Sequence, residues 1–285
     1  MQIPLDLIKL IRSQRSFRVK VDGERSSWRP MLAGVPQGST LSPLLYNLYT
    51  ADIPQSHNTN LAMYADDICI YAKTRNIRFA NLAVQRHLSE VEGWTKKWRI
   101  LINPDKTNCI VFSKKRKPKL PKLEMYGRET GITKRALYLG VMMQYRLNWR
   151  PHCDLIRGKA HLALRELTPL LRSALPLKTK LLVYSAYIRP ILTYAAEAWA
   201  YILKQNMSRL QVVQNRALRI IRDYDYDVTI QQLHEDCDIP TLKQYIRQQA
   251  RKFYNKTATN TNTLITQLGQ YDPHNTQITP KAIIL

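Results

Sequence analysis

Two adjacent carboxylates, Asp66 and Asp67, stand at the centre of the stretch Leu61-Ala-Met-Tyr-Ala-Asp-Asp-Ile-Cys-Ile-Tyr71. Leu61 and Met63 alternate before them, and Ile68 and Ile70 after them, which predicts a hairpin with the acidic pair at its bend. Neighbouring like charges repel, and a divalent cation bound by hard oxygen donors would relieve them. Successive strand residues point to opposite sides, so the two are not expected to ligate equally. Taken alone, a solvated acidic turn is the simpler account of such a pair. A second stretch, Gly34-Val-Pro-Gln-Gly-Ser-Thr-Leu-Ser-Pro43, combines two glycines with polar side chains. Gly34 and Gly38 allow backbone conformations and a close approach that a Cβ would block, so a flat ligand such as a base pair could lie against this loop. Gln37 adds a group able to hydrogen-bond a sugar or a base edge. An ordinary surface loop leading into a helix is the competing account.

These segments need elements to hold them. Residues 5–14 read as a short helix, and Phe17 to Met31 as a hairpin turning at Asp22-Gly23. Ser42-Pro43 reads as a capping residue followed by proline at the first helical position. Leu82 to Trp98 has the helical face Leu88, Val91, Trp94 and Trp98. Cys109 to Phe112 and Tyr138 to Val141 read as short strands. Beyond residue 150 the period changes: Ile156, Ala160, Leu164, Leu167 and Leu171 fall on one helical face, as do Leu210, Val213, Ala217 and Ile220. Residues 177–203 read as helical with a break near Pro190. From about residue 256 the chain is rich in Asn, Thr and Gln and reads as a flexible tail. The expected fold class is therefore α+β, a mixed half over 1–150 followed by an all-helical half over 151–255 and a tail over 256–285.

Forty-four Lys and Arg against 21 Asp and Glu give a formal net charge of +23 over 285 residues. An excess of that size favours a polyanionic partner, with nucleic acid first. The most apolar stretch, Tyr184 to Leu203, is interrupted by Arg189, Pro190 and Glu197, which argues against a membrane span. Cys69, Cys109, Cys153 and Cys237 form no CxxC pair and read as reduced thiols. His152-Cys153 and His234 with Cys237 lack the second local pair that a zinc site needs. Asp223, Asp225 and Asp227 faintly suggest a calcium loop, but Val228 and His234 occupy the positions where glycine and glutamate are required. Lys114-Lys-Arg-Lys117-Pro-Lys119 reads as a solvated connector, a phosphate contact or a nuclear localisation signal.

In this order and spacing the motifs resemble the reverse transcriptases of non-LTR (LINE-type) retrotransposons, close to the jockey group of insects. Gly34–Pro43 resembles the family's motif B and Tyr64-Ala65-Asp66-Asp67 its motif C. Asn103-Pro-Asp-Lys106-Thr107 with the following strand resembles motif D, and Tyr138-Leu-Gly-Val141 the primer-grip motif E. Pro190 to Tyr194 with Trp199, and Gln214 to Arg219, resemble the helical region beyond. The resemblance covers residues 1–255.

That resemblance implies a partial polymerase palm (antiparallel sheet with helices), followed by an all-helical thumb and C-terminal region. It implies RNA-directed DNA synthesis with two Mg²⁺ ions, an RNA template, a DNA primer and deoxynucleoside triphosphates. Asp66 would hold metal, with Asp67 in a lesser role, and Lys106 would serve as proton donor or charge partner of pyrophosphate. Gly34, Pro36, Gln37, Gly38 and Ser39 would position template base and nucleotide, and Leu139 and Gly140 would set a backbone turn against the primer. It implies an intracellular protein, nuclear at the site of integration after a cytoplasmic RNA–protein stage. The family takes another carboxylate from an upstream strand, motif A. Asp6 and Asp22 fit structural roles instead, so the chain is expected to be truncated before that aspartate and not to polymerise alone. Gln144 departs from the acidic residue common at its position. A non-catalytic RNA- or DNA-binding remnant is the alternative, and a group II intron maturase resembles the helical region less well.

Overall fold

The computed structural model describes residues 15–31, 34–35, 38–113, 122–202 and 204–268. The helix expected at 5–14 with Asp6, the basic run 114–119 and residues 269–285 lie outside them. The chain divides into two compact units, Met1–Cys109 with Lys119–Gly131, and Ile110–Pro118 with Ile132–Leu285. The mixture of helices and small sheets is α+β, and among the described residues the strands pair only in twos.

The first unit opens with four two-residue strands, β1 (Ser16–Phe17), β2 (Lys20–Val21), β3 (Glu24–Arg25) and β4 (Arg29–Pro30). β2 and β3 meet at Asp22-Gly23, both at positive φ, as the sequence predicts. Helix α1 (Ser42–Tyr49) begins one residue earlier than expected: Leu41 is its N-cap and caps with no side chain, so Ser42 lies inside the first turn. Strands β5 (Asn60–Tyr64) and β6 (Asp67–Tyr71) form the expected acidic hairpin. Leu61 faces Ile70 and Met63 faces Ile68, giving it one apolar side. Helix α2 (Ile77–Trp98) receives that side: Ile53, Val91 and Trp94 are buried, with Leu61, Met63, Ile68 and Ile70 packed against them. Asn76 caps α2, its Oδ1 accepting from the backbone N–H of Arg78 at 3.0 Å. His87 ties the preceding loop to α2, accepting from Thr59 Oγ1 at 2.6 Å and donating to the Pro54 carbonyl at 2.8 Å. A 3-10 turn at Pro104–Lys106, β7 (Asn108–Cys109) and the hairpin of β8 (Glu124–Met125) with β9 (Arg128–Glu129) complete the unit. The strand expected at Cys109–Phe112 is thus confined to Asn108–Cys109.

The strand β10 (Gly131–Ile132) lies where the units divide. In the second unit β11 (Arg135–Tyr138) and β12 (Val141–Gln144) make a hairpin. The segment Tyr138–Val141 is therefore not a continuous strand; Leu139 and Gly140, both at positive φ, are its turn. Helix α3 (Arg150–Arg172) buries the predicted stripe Ile156, Ala160, Leu164 and Leu171. Each buried Ile or Leu of the stripe is worth about 1.5–3 kcal/mol relative to exposure, so together they outweigh any single cap and decide this helix. Next come α4 (Leu177–Val183), a π-helical turn Tyr184–Ile188, α5 (Arg189–Thr193) and α6 (Ala196–Trp199). The break falls at Tyr194-Ala195 rather than near Pro190. The π turn, with Arg189 N–H bonded to the Tyr184 carbonyl, takes up the ladder just before the proline, which then sits in the first turn of α5. Helices α7 (Lys204–Arg222), α8 (Ile230–Cys237) and α9 (Leu242–Ala258) follow, then α10 (Thr263–Leu268). Residues 256–268 are thus largely helical where the tail was expected. Thr241 and Gln244 cap α9 reciprocally, at 3.3 and 2.9 Å.

Candidate functional site

Asp66 occupies the two-residue turn Ala65-Asp66, and Asp67 opens β6 opposite Tyr64. Ala65 holds φ 50°, a left-handed conformation that an L-residue adopts at a cost of about 1–2 kcal/mol. The packing of Leu61, Met63, Ile68 and Ile70 on α2 maintains it. Asp67 shares its side of the hairpin with Cys69, away from that apolar face, whereas Asp66 projects from the tip. Both carboxylates are exposed and form no ion pair with a cation among the described residues.

The glycine loop reaches this bend through the helix that follows it. Tyr46 on α1 has its phenol pushed above the ordinary value, first by burial and then by the negative charge of Asp66. α1 is itself fixed to the C-terminal end of α2. Tyr49 Oη donates to the Trp98 carbonyl and its ring meets Trp98 edge-on at 5.0 Å. Asp52, just beyond α1, accepts from Trp94 Nε1 at 2.8 Å and from Trp98 Nε1 at 3.0 Å. α1, the acidic hairpin and α2 therefore pack together, and Asp52 is committed to indole N–H groups rather than available to a metal. Sequence reasoning missed both Tyr46 and Asp52. The i, i+4 spacing of Trp94 and Trp98 was readable, but not the carboxylate between them.

Gly34 and Gly38 hold φ 82° and 81°, and the space that a Cβ would occupy is open at each. The Gly34 carbonyl accepts from Arg15 Nη2 at 2.6 Å. Ser39 accepts from the Leu41 N–H at 3.4 Å and its carbonyl bonds the Ser42 N–H at 3.2 Å, which turns the loop into α1. Pro36 and Gln37 lie outside the described residues. Lys106 is exposed at the end of the 3-10 turn, which Asn103 caps with its Oδ1 on the Asp105 N–H at 2.9 Å. Ile100 and Ile102, a few residues before it, pack against the same buried cluster of Ile53, Val91 and Trp94 as the acidic hairpin, but no ion pair joins Lys106 to Asp66 or Asp67 among the described residues.

In the second unit, Leu139 and Gly140 form the β11–β12 turn at φ 45° and 78°. Tyr194 Oη donates to the Leu139 carbonyl at 3.0 Å, and a Cβ on Gly140 would stand 3.0 Å from Tyr194 Cε1. Trp199 Nε1 donates to the Tyr194 carbonyl at 2.8 Å, so the segment Pro190–Trp199 braces this turn. The candidate zinc pairs serve the core instead. His152 Nδ1 accepts from the Met142 N–H at 3.2 Å, and burial followed by the charge of Lys159 lowers its pKa. Burial pushes the thiols of Cys153 and Cys237 each up to about 11. His234 bonds the Ile239 carbonyl at 2.7 Å.

Asp66 and Asp67 supply hard oxygen donors that fit a divalent metal. Among the described residues no group of three His, Cys, Asp or Glu side chains comes together at one point. No helix among the described residues is long and apolar enough to cross a membrane.

Residues 2–143 match the family model of reverse transcriptase (RNA-dependent DNA polymerase). The chain is 33% identical over 258 residues to the probable RNA-directed DNA polymerase from transposon BS of Drosophila melanogaster, covering 87% of this chain and 28% of that protein. It is 30% identical to the RNA-directed DNA polymerase from mobile element jockey of Drosophila funebris, covering 92% of this chain and 30% of the relative. It is likewise 30% identical to the probable RNA-directed DNA polymerase from transposon X-element of Drosophila melanogaster, at 94% and 30% coverage. The chain thus spans under a third of the length of these curated relatives. No solved structure matches it.

Proposed function

The chain belongs to the reverse transcriptase (RNA-dependent DNA polymerase) family, and on that premise we propose that it forms part of an RNA-directed DNA polymerase of the non-LTR retrotransposon kind. In this reading the first unit is a portion of the palm, and the helices of the second unit are the thumb and the C-terminal region beyond it. The observation that carries the reading is the packing of the acidic hairpin on α2, whose C-terminal end also holds the helix that follows the glycine loop, because it joins the hairpin of one family motif to the helix launched by another.

Asp66 and Asp67 would hold divalent metal, with Mg²⁺ the natural ion for phosphate chemistry. When bound, the metal would activate the primer 3′-hydroxyl and neutralise charge on the departing pyrophosphate. Asp66, exposed at the tip, would be the principal ligand of this pair and Asp67 the lesser one. Two carboxylates are fewer than a two-metal centre requires, so a further acidic ligand would complete the site. The loop from Gly34 to Ser39 would lie against the nascent base pair, and the open space over Gly34 and Gly38 supports that role. Lys106 would neutralise pyrophosphate, and the braced turn at Leu139 and Gly140 would hold the primer strand.

A DNA primer annealed to an RNA template tests the proposal by fluorescence anisotropy with the whole chain. Adding Mg²⁺ and the next complementary nucleotide should tighten the complex, and Asp66→Asn with Asp67→Asn should abolish that increment. An increment that persists unchanged in the double variant contradicts the assignment.

A further inference from the structure

A second surface, wholly inside the helical unit, has the composition of an anion site. A cleft of about 400 Å³ is lined by Arg135, Gln144, Asn148, Arg150, Pro151 and Asp154. A second recess of about 250 Å³ shares Arg150 and adds Gln205, Asn206 and Arg209. Arg135 and Gln144 come together because they are the paired residues at the open end of the β11–β12 hairpin. Asp154 is the one carboxylate in the walls of either recess, and Arg209 takes it at 2.8 Å while Arg150 and Arg157 stand at 3.9 and 4.0 Å. Three guanidinium groups in the walls, Arg135, Arg150 and Arg209, against one carboxylate leave a local surplus of positive charge. The Arg150 side chain is 68% exposed, so its charge faces solvent rather than the core.

The other walls are amides and a proline ring. Amide N–H groups donate to oxyanions, and guanidinium forks match phosphate geometry. A cleft so polar suits no apolar small molecule. We propose that this cleft binds backbone phosphates of a nucleic acid, in addition to whatever the Leu139-Gly140 turn contacts. One hairpin would then carry two contacts, the turn at its tip and Arg135 at its base. The choice of nucleic acid over another polyanion rests on the polymerase reading given above; the phosphate chemistry does not.

Binding of a short RNA–DNA hybrid by the whole chain in EDTA tests the inference, because without metal the Asp66 pair offers the phosphates no attraction. The double variant Arg135→Gln with Arg150→Gln should bind roughly tenfold more weakly and lose about 0.9 from the salt slope for each phosphate contact removed. Asp154→Asn should do the opposite, binding several-fold more tightly, a gain that misfolding cannot produce. Gln144→Glu, nearly the same shape with one added negative charge, should weaken binding. Unchanged affinity and salt slope in the double variant, or no tightening in Asp154→Asn, overturns the inference while leaving the metal-dependent test untouched. Competition by poly-glutamate as effective as by an equally charged nucleic acid overturns the choice of ligand.

Discussion

Replacing Gly140 by alanine probes the turn proposed to hold the primer. Gly140 stands at φ 78°, where an L-residue pays about 1–2 kcal/mol. The new Cβ would also lie 3.0 Å from Tyr194 Cε1, and the ring cannot withdraw freely because its Oη is bonded to the Leu139 carbonyl. Moving it sacrifices a hydrogen bond worth about 1 kcal/mol. The expected cost is therefore about 2–3 kcal/mol, and at about 2–4 °C per kcal/mol for a unit of this size the melting temperature should fall by about 4–12 °C. A double-mutant cycle separates the two causes. In a Tyr194→Ala background Gly140→Ala should cost only the backbone share, leaving a coupling of about 1 kcal/mol. Urea unfolding followed by circular dichroism measures each corner. A neutral Gly140→Ala, or the same cost in both backgrounds, would refute the close approach of Tyr194 and with it the bracing of this turn.

Leu139→Gly should move stability the other way, by about 1 kcal/mol, because Leu139 occupies φ 45° at the same turn; thermal melting reads the sign. Asp52→Ala should cost about 1–3 kcal/mol by leaving two indole N–H groups without their acceptor, and a change in Trp94 and Trp98 fluorescence should accompany the loss. Cys153 and Cys237 have thiol pKa values raised from 9.0 to about 11, so the folded state favours their protonated forms. Their contribution is complete below pH 9 and disappears as pH rises from 9 to 11, at about 2–3 kcal/mol for each buried thiol. Urea midpoints of the wild type and of Cys153→Ala should therefore converge across that window, and parallel curves would show the thiol is not involved.

What the sequence conceals here is mostly what tertiary contacts decide. Asp22-Gly23 and the alternation around Asp66 specify their hairpins locally, and the stripe from Ile156 to Leu171 specifies a helix. Tyr138-Leu-Gly-Val141 reads as a strand because a leucine seldom turns a chain; Tyr194, more than fifty residues away, stabilises the turn from outside. Pro190 reads as the break until the π turn ahead of it absorbs the missing donor. Trp94 and Trp98 are legible as one face of α2, but nothing local points to Asp52 as their shared acceptor. Arg135, Arg150 and Arg209 belong to three separate elements, so only folding gathers them at one cleft. Gln144, noted in the sequence for its lack of charge, gains its meaning from that neighbourhood. Pro36 and Gln37 lie outside the described residues, and the proposed roles of Asp67 and Lys106 rest on the family resemblance.

Paramagnetic broadening tests the central claim most directly. With tyrosines labelled at Cζ and Tyr46 assigned by Tyr46→Phe, Mn²⁺ added to the whole chain should broaden the Tyr46 signal selectively, and Asp66→Asn should remove the effect. The same substitution without metal should lower the Tyr46 pKa, leaving only the part due to burial. Broadening that spares Tyr46, or persists undiminished in Asp66→Asn, would contradict a metal site at this bend.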